Sequence, residues 1–532
     1  MNNTAQSRWK NLEIFRSLYL RRAIDCSSLT IPTLIPESDQ NQGWTGNQYN
    51  SIPSLYQGAG ARGVSGLSAK LLLALMPPSQ PFFRLTIDKG RIQEYLDEAG
   101  GDQQQVMSQL DQALSDLERQ VLRRLDQLQA RSALFEAIKH LIVGGNALLY
   151  VGNDSIRIYG LRSFCVDRDP EGNVTEIVVR EQVSEKYMPV PKSNEGEASS
   201  ESDDREDVYT HVTIDPEQNR VEWFQEYDSK KLAGTAGWSS MDTSPWIVLR
   251  LNKTAGESYG RSLVEEVLGD LQSLESLTKA VVQGALISAK ALFLVNPNGT
   301  TRADILARAE NGAIVAGNAA DVEALQVQKS SDLSVAMQAM QLLERRLQFA
   351  FLSNEVLQRD AERVTAAEIS QMAELLEQGL GGVYSLLSVE MQMPLIRRVM
   401  HLMEKKGDIP PVPKGLVEPQ VTTGLEAIGR GNDKQRLTGF LQTVAASIGP
   451  EQFLQYIKPS ELIRRFAAAD GIDTAGLVKE DQELQAEQAQ QQQAMLAQQV
   501  AQGAIQSGAT SPPQPGGAAV GPADQGTELL PG

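Results

Sequence analysis

The chain has 532 residues, 41% hydrophobic and 22% charged, which suits a globular protein of three or four domains with sizeable cores. Its 67 acidic and 49 basic residues give a net charge of −18 and exclude tight phosphate binding through a broad basic surface. The N-terminus lacks the apolar stretch of a signal peptide, and no apolar run approaches the roughly 18 residues of a membrane span. We therefore expect no membrane insertion and a location in the cytoplasm.

The two cysteines, Cys26 and Cys165, show no spacing typical of a metal site. A single disulfide is possible, but the pattern favours two buried thiols. The first 149 residues alternate apolar periods with loop signals. The elements expected there are a helix at Trp9–Asp25, a loop at Pro32–Pro53, a helix at Gly58–Leu75, a strand at Phe82–Ile87 and a helical run at Gln103–Leu149.

Residues 150–255 change to a β-type composition. Strands are expected at Ile156–Tyr159, Val174–Val179, Val208–Ile214, Val221–Tyr227 and Trp246–Leu251. The sequence Asp169-Pro-Glu-Gly-Asn173 is a strong turn signal between the first two strands. The segment Ser193–Asp207 holds seven acids and one arginine, which is typical of a solvated, mobile loop.

Two amphipathic helices, Ser262–Ala291 and Asp332–Leu352, flank a module of short strands and turns at residues 292–330. The first helix opens on a capping box at Ser262. A long helical pattern runs from Thr365 to about Lys405, and Gly379, Gly381, Gly382 and Pro394 are expected to kink it. Further helices follow from Thr423, a Gln-rich helix reaches about Gln502, and residues 503–532 have the composition of a disordered tail.

Two motifs that could carry chemistry fail on their context. Gly58-Ala-Gly-Ala-Arg-Gly63 matches a dinucleotide-binding pattern, but no buried strand precedes it, so we expect a glycine-dotted helix packed closely on a neighbour. Asp167–Gly172 begins like a calcium loop, yet its twelfth position is Val178, which favours a hairpin turn.

The histidines show no metal-ligand spacing, and the chain has neither a phosphate-binding loop with its lysine nor a nucleophile elbow. We therefore expect no enzyme activity, no cofactor and no metal.

Several stretches, taken in order, resemble the portal proteins of podoviruses that carry a single-subunit RNA polymerase, the autographivirus type. They are Tyr56–Leu75, Leu134–Tyr150, Gly256–Leu277, Leu294–Gly299, Phe349–Ile369, Leu380–Arg397 and Glu418–Asn432. None is diagnostic alone, but the ordered set is specific, whereas the acidic loop and the residues after about 435 match poorly.

The resemblance implies an α+β, mainly helical portal fold that assembles as a ring of twelve copies around a channel. The parts it implies are a wing at 1–261, a first stem helix at 262–291, a clip at 292–330, a second stem helix at 331–352, a tunnel loop at 353–364, a long kinked helix returning through the wing at 365–419, and a crown with a Gln-rich helical extension at 420–502.

The implied function is a portal subunit at one capsid vertex of the virion, assembled in the host cytoplasm. The implied partners are the terminase large subunit, the tail adaptor and nozzle proteins, the major capsid and scaffolding proteins, and double-stranded DNA in a mainly acidic channel. Arg359 and Arg363 are candidate DNA contacts, although pairing with Glu355, Asp360 and Glu362 is the favoured alternative. Asn296, Pro297, Asn298 and Gly299 are candidate contacts to the motor or tail. The alternative function is a non-channel helical scaffold or internal virion protein.

Overall fold

The computed structural model describes residues 4–37, 53–77, 82–87, 103–184, 205–288, 292–310, 312–325, 330–353, 376, 379–380, 383–410, 417–421, 438–444, 446–447 and 462–463. Its α-helices are α1 Ala5–Ser28, α2 Ala59–Leu75, α3 Gln103–Gln127, α4 Ala130–Gly144, α5 Leu263–Glu266, α6 Leu268–Ser288, α7 Ala303–Arg308, α8 Ser330–Ala350, α9 Val383–Leu387 and α10 Met393–Lys406. Its strands are β1 Phe83–Ile87, β2 Asn146–Val151, β3 Ile156–Gly160, β4 Phe164–Arg168, β5 Val174–Ser184, β6 Arg205–Asp215, β7 Arg220–Tyr227, β8 Lys230–Lys231, β9 Gly237–Ser240, β10 Trp246–Arg250, β11 Leu292–Val295, β12 Val322–Leu325 and β13 Val417–Val421. The mixture of helix and strand confirms the coarse fold class predicted from the sequence.

A six-stranded antiparallel sheet separates two hydrophobic cores. Its strand order is β4-β5-β6-β7-β8, and β9 also pairs with β7. Because side chains alternate across a strand, Ile177 and Val212 enter the main core on one face, while Val178 packs with Trp9 of α1 in a smaller core on the other. The sheet therefore needs α1 to cover its second face.

Helix α1 crosses this sheet from β7 to β4. At its start, the buried carboxylate of Glu226 accepts hydrogen bonds from the backbone amides of Ala5 at 3.0 Å and Gln6 at 3.4 Å. Such an anion complements the positive end of the helix dipole. Farther along, the guanidinium of Arg16 donates to the carbonyls of Leu161 and Phe164 at the start of β4.

Helix α4 leads directly into a three-stranded sheet of order β10-β2-β3. The helix ends at Gly144, and Gly145 adopts φ 72° while its amide donates to Leu141 at 2.8 Å. The prediction of a helix continuing to Leu149 was therefore wrong, because residues 146–149 lie in β2. An apolar run fits a buried helix and a buried strand equally well, and the left-handed glycine decides where the helix stops.

Two further sequence predictions need correction in the strand region. Residues 205–207, predicted inside the acidic loop, lie in β6 and pair with residues 182–184 of β5. Residues 193–204 of that predicted loop lie outside the described residues. Strand β4 was missed, although its Phe164 and Cys165 are fully buried. Both β4 and residues 205–207 contain charged residues, but they adopt strand conformation because they pair with β5.

The predicted turn at Asp169–Asn173 is confirmed. The Asp169 carboxylate accepts hydrogen bonds from the Asn173 amide at 2.7 Å and from its side-chain nitrogen at 2.9 Å. Gly172 adopts φ 92°, a conformation that favours glycine. The Asp169 carboxylate, which would be a ligand in a calcium loop, therefore closes the hairpin between β4 and β5 instead.

The glycines of α2 allow close packing, as predicted. A Cβ atom at Gly60 would lie 2.6 Å from the carbonyl oxygen of Leu29, and one at Gly63 would lie 2.5 Å from the ring of Phe351. Gly58 is only the N-cap of the helix. This motif brings a loop and the residue after α8 against α2, which is a structural use of the pattern.

The long helical pattern predicted after Thr365 changes helix type before Pro394. A π-helix, Ser388–Gln392, joins α9 to α10, and Pro394 occupies the first turn of α10. Proline lacks an amide donor, so the hydrogen-bond pattern must shift at this point. Helix α10 ends at Lys406, its C-cap Gly407 adopts φ 80°, and β13 then pairs with β1.

The chain divides into two compact units, residues 1–429 and 430–532. In the second unit the described residues 438–444 and 446–447 are helical. The predicted Gln-rich helix and the tail 503–532 lie outside the described residues. Among the helices that the structure describes, none combines the length and apolarity needed to span a bilayer.

Candidate functional site

Helices α6 and α8 form an antiparallel pair. Arg346 near the end of α8 contacts Asp270 near the start of α6, with 3.0 Å between nitrogen and oxygen. At the other end, the Cβ position of Gly284 lies 3.5 Å from Leu333. Each helix has 21 residues and is about 31 Å long. The helix pair and the module between its helices are called the helix–module–helix unit, residues 262–352.

The helix predicted to run unbroken from Ser262 is interrupted in the structure. The Ser262 hydroxyl caps α5 by accepting from the Glu265 amide at 3.3 Å, as its capping box predicted. The same hydroxyl donates to the carbonyl of Ile142 at 2.9 Å and holds α5 on α4. Val267 then leaves helical geometry with φ −113°, and α6 begins after it. The capping signal was right, but it begins a one-turn helix.

Most of the helix–module–helix unit buries almost nothing within the chain. Leu271 and Leu274 of α6 and Leu347 of α8 enter the main core. Among the described side chains from residue 275 to 346, only Thr301 is buried. A helix pair this long gains most of its stability from packing, so the protruding part needs a partner that the single chain does not supply.

An exposed apolar row runs along α8. Val335, Leu342 and Phe349 lie seven residues apart, and each is between 61% and 73% exposed. On α6, Val282 and Leu286 are also exposed one turn apart. Seven-residue spacing places side chains on one line of a helix that packs against another helix. This row was missed from the sequence, where the stripe through Leu333, Met337 and Leu347 drew attention; of these, Met337 is exposed.

The module between the two helices is built on the β11–β12 ladder. The turn after β11 contains the four predicted contact residues, and the Gly299 amide donates to the carbonyl of Asn296 at 3.0 Å. The Asn296 side chain accepts from the Asn298 amide at 3.1 Å. The structure therefore brings Asn296, Pro297, Asn298 and Gly299 together in one tight turn, as the sequence predicted.

Asp321 holds this turn, a role that was not predicted from the sequence. Its carboxylate accepts hydrogen bonds from the amides of Thr300 at 2.8 Å and Thr301 at 3.1 Å, and from both hydroxyls. Desolvation raises the pKa of Asp321, but these hydrogen bonds outweigh it and hold the pKa below its usual value. A Cβ at Gly299 would lie 2.4 Å from this carboxylate, so a larger residue there would have to displace Asp321 from its hydrogen bonds.

The end of α8 is fixed to α2. The ring of Phe351 fills the notch at Gly63, and the ammonium group of Lys70 donates to the carbonyl of Leu352. Leu352 adopts φ 50°, and the Ser353 amide donates to Gln348 at 2.7 Å. The next segment contains Arg359 and Arg363, and both lie outside the described residues.

Charge is nearly balanced along the protruding unit. Residues 268–350 contain eight acidic and seven basic residues, whereas the whole chain carries −18. The acid excess expected to line a channel therefore resides mostly in other parts of the sequence.

A buried ionic cluster lies under α1, where Arg8 and His211 both contact Glu176. The carboxylate receives hydrogen bonds from the Arg8 guanidinium, and His211 Nε2 lies 2.6 Å from it. Burial raises the pKa of Glu176, but Arg8 and His211 outweigh this effect and hold it at about 2. The cluster attaches α1 to the sheet and has a structural use.

The remaining candidates for chemistry are buried and apart from one another. Burial lowers the pKa of His140 to about 4. Both cysteines are free and buried, as predicted, and burial raises the pKa of each thiol to about 12. Within the described ranges no group of three or more histidine, cysteine or acidic residues could hold a metal ion.

Known proteins resemble this chain over almost its whole length. Residues 2–478 match the family described as bacteriophage head to tail connecting protein. The portal protein of Escherichia phage T7 is 37% identical over 92% of this chain and 91% of that protein. The portal protein of Enterobacteria phage T3 is 37% identical over 97% and 94%. That of Pseudomonas phage phiKMV is 31% identical over 96% and 98%.

A solved structure, the neck of an empty gene transfer agent particle, covers 78% of this chain at 12% identity with a TM-score of 0.38, which is too low to support an argument about fold. The matches to the three phage proteins and to the family do show the family of this chain, because they extend over nearly the full chain. A structural connector family agrees with the absence of catalytic motifs from the sequence. The chain belongs to the bacteriophage head to tail connecting proteins, the family of the autographivirus portal proteins, whose place is the head–tail junction of the virion.

Proposed function

We propose that twelve copies of this chain form a ring whose channel is lined by the α6–α8 helix pairs. The observation that carries the proposal is the protruding pair with its exposed row Val335, Leu342 and Phe349. A neighbouring copy offers an equivalent helix pair at the same height, so packing around the ring covers this row in every subunit. Burying one such leucine contributes about 1.5–3 kcal/mol.

In this proposal the ring is a passive conduit for double-stranded DNA. The terminase motor docks during packaging and supplies the energy, and tail proteins occupy the same end afterwards. The residues 292–330 would form that end, because the compact turn Asn296–Gly299 projects a rigid, hydrogen-bonded surface. Capsid and scaffolding proteins would surround the part formed by residues 1–261.

Negative-stain images of the purified full-length chain test the ring. Rings with a central hole are expected. Folded monomers or open filaments would contradict the proposal and favour the alternative of a helical scaffold or internal virion protein. Circular dichroism on the same sample establishes that the protein is folded.

The role of Arg359 and Arg363 stays a prediction. If the two guanidinium groups touch passing DNA, replacing both residues by alanine reduces packaging or retention of DNA while rings still form. Unchanged packaging and retention would remove the DNA-contact hypothesis and leave pairing with the neighbouring acids. The matched control replaces Arg119 and Arg123, two exposed arginines on α3, by alanine.

The docking end is tested by exchanging residues 292–330 for the corresponding segment of a related portal protein. Tail attachment should be lost while ring assembly persists. Attachment that survives the exchange would place the tail contact elsewhere.

A further inference from the structure

A short apolar stripe on α1 faces solvent. Ile14, Phe15 and Leu18 lie on adjacent positions of the helix, and each is between 64% and 72% exposed. The opposite side of α1, with Trp9 and Leu12, is buried against the sheet. Helix α1 therefore has two apolar surfaces, and only one of them is covered by the sheet. The exposed surface, Ile14, Phe15 and Leu18, is named here the α1 stripe.

A second exposed patch lies at the far edge of the same sheet. Trp238 on β9 is 68% exposed, and Met241 follows in a 3₁₀ turn. The guanidinium of Arg220 lies 5.0 Å from the Trp238 ring centroid. Tryptophan, methionine and arginine are enriched where proteins bind one another. Trp238 and Met241 are named here the sheet-edge patch.

The two surfaces lie at opposite edges of the six-stranded sheet. The bonds from Arg16 to Leu161 and Phe164 place the middle of α1 at the start of β4, and β9 forms the other edge. Four strand intervals separate β4 from β9, which is about 19 Å. One chain cannot bring the two surfaces together, but a second copy displaced along the strand order can.

Their borders are complementary in charge. The α1 stripe is bordered along the helix by three basic and two acidic residues, which leaves one positive charge in excess: Lys10, Arg21, Arg22, Glu13 and Asp25. The sheet-edge patch is bordered by three acidic and two basic residues: Glu217, Glu222, Asp242, Arg220 and Arg397. A net positive border facing a net negative one favours this pairing over contact between like surfaces.

We propose that the α1 stripe of one copy docks on the sheet-edge patch of the next copy. Such a contact joins two different surfaces, so it repeats head to tail and closes into a ring when the rotation allows. It rests on the proposed ring and adds a second contact, far along the sequence from the helix pair. The occupant of each surface is therefore another copy of this chain.

Cysteine crosslinking in the full-length chain tests the contact. The variant with Leu18→Cys and Trp238→Cys is assembled under reducing conditions, imaged, then oxidised and run on a non-reducing gel. A ladder of crosslinked multimers is expected. Cys26 and Cys165 are buried and do not compete. The matched control pairs Leu18→Cys with Ile314→Cys, a fully exposed module residue, and should give no ladder.

Rings that crosslink no better than the control would overturn this contact while the proposed ring stands. Wild-type protein that forms no rings would instead overturn the proposed function. Hydroxyl-radical labelling of the unmodified protein gives a second reading that needs no variant. Phe15, Trp238 and Met241 should lose most of their labelling in rings relative to dissociated subunits, and equal labelling in both states would overturn the contact.

Discussion

In the six-stranded sheet with α1, charged side chains are buried and paired, whereas in the helix–module–helix unit apolar side chains lie in solvent. Glu176 receives Arg8 and His211 beneath α1, and Glu226 receives the helix amides. In contrast, Leu342 and Phe349 of α8 contact little in their own chain. The first region pairs its buried carboxylates within one chain, whereas the second leaves apolar side chains uncovered.

This difference separates the buried polar contacts, which stabilise the folded subunit, from the exposed apolar side chains, which we expect to drive assembly. Changes under α1 should alter the stability of the single chain, and changes along α8 should alter the assembly.

Leu342→Asp should abolish ring formation, because each subunit contact would bury an unpaired carboxylate. Unfolding of the dissociated chain should change by no more than about 0.5 kcal/mol, since the position is exposed. Light scattering after size-exclusion chromatography measures the assembly. Val389→Asp, an exposed apolar position on the π-helix, is the control and should leave rings intact. Rings formed equally by both variants would contradict the account.

Glu176→Gln should destabilise the subunit by about 2–3 kcal/mol, which is below the roughly 3–5 kcal/mol of a broken, fully buried pair because Arg8 is one-third exposed. Chemical denaturation of dissociated chains measures the loss. Glu222→Gln, which removes the carboxylate of an exposed pair, should change stability by less than about 0.5 kcal/mol. Equal effects of the two substitutions would refute the buried-cluster interpretation.

The same variant has a defined pH dependence. The pKa of Glu176 is depressed from 4.5 to about 2 in the folded chain, so its contribution is complete above pH 4.5 and lost as the pH falls through 2. The difference between wild type and Glu176→Gln should therefore narrow within that window. A difference that stays constant from pH 6 to pH 2.5 would assign the effect to packing instead.

Gly63→Ala should cost about 1–3 kcal/mol, because the added methyl group collides with the Phe351 ring. Gly66→Ala lies on the same helix with nothing within 4 Å and should stabilise by about 0.5–1 kcal/mol. Thermal unfolding of the two variants compares them directly. If both substitutions changed the stability in the same direction, helix propensity would determine the effect, and the contact between α2 and the end of α8 would not.

Asp321→Asn should have the smallest effect, confined to the module. Loss of the charge weakens the four hydrogen bonds from Thr300 and Thr301, so their amides should exchange faster with solvent. Hydrogen exchange followed by mass spectrometry detects this, with Asp304→Asn as the exposed control. Unfolding of the whole chain should not change, and a change would tie the module to the core.

Sequence periodicity predicted the long helices well because an amphipathic helix carries its own signal. The helices α6 and α8 and the turn at Asn296 followed from apolar spacing and turn residues. Strand β13 was missed because Pro419 lies in it, and its partner β1 is more than 300 residues away. No local pattern encodes a pairing over that distance.

The module shows the same limit at its candidate contact site. The four residues of the turn were predicted together, yet Asp321, which holds the turn, is brought in by the β11–β12 ladder. The row on α8 could have been found from the seven-residue spacing of its apolar residues. It was missed because the same helix also carries the apolar stripe that was predicted to be its buried face. Arg359 and Arg363 lie outside the described residues, and their role stays a prediction.

The mass of particles formed by the purified chain tests the central claim, that the exposed row of α8 is completed by other copies. Mass photometry should find particles of about twelve times 58.1 kDa, and Leu342→Asp should shift them to the single-chain mass. A wild-type chain that remains at 58.1 kDa while folded would contradict the account.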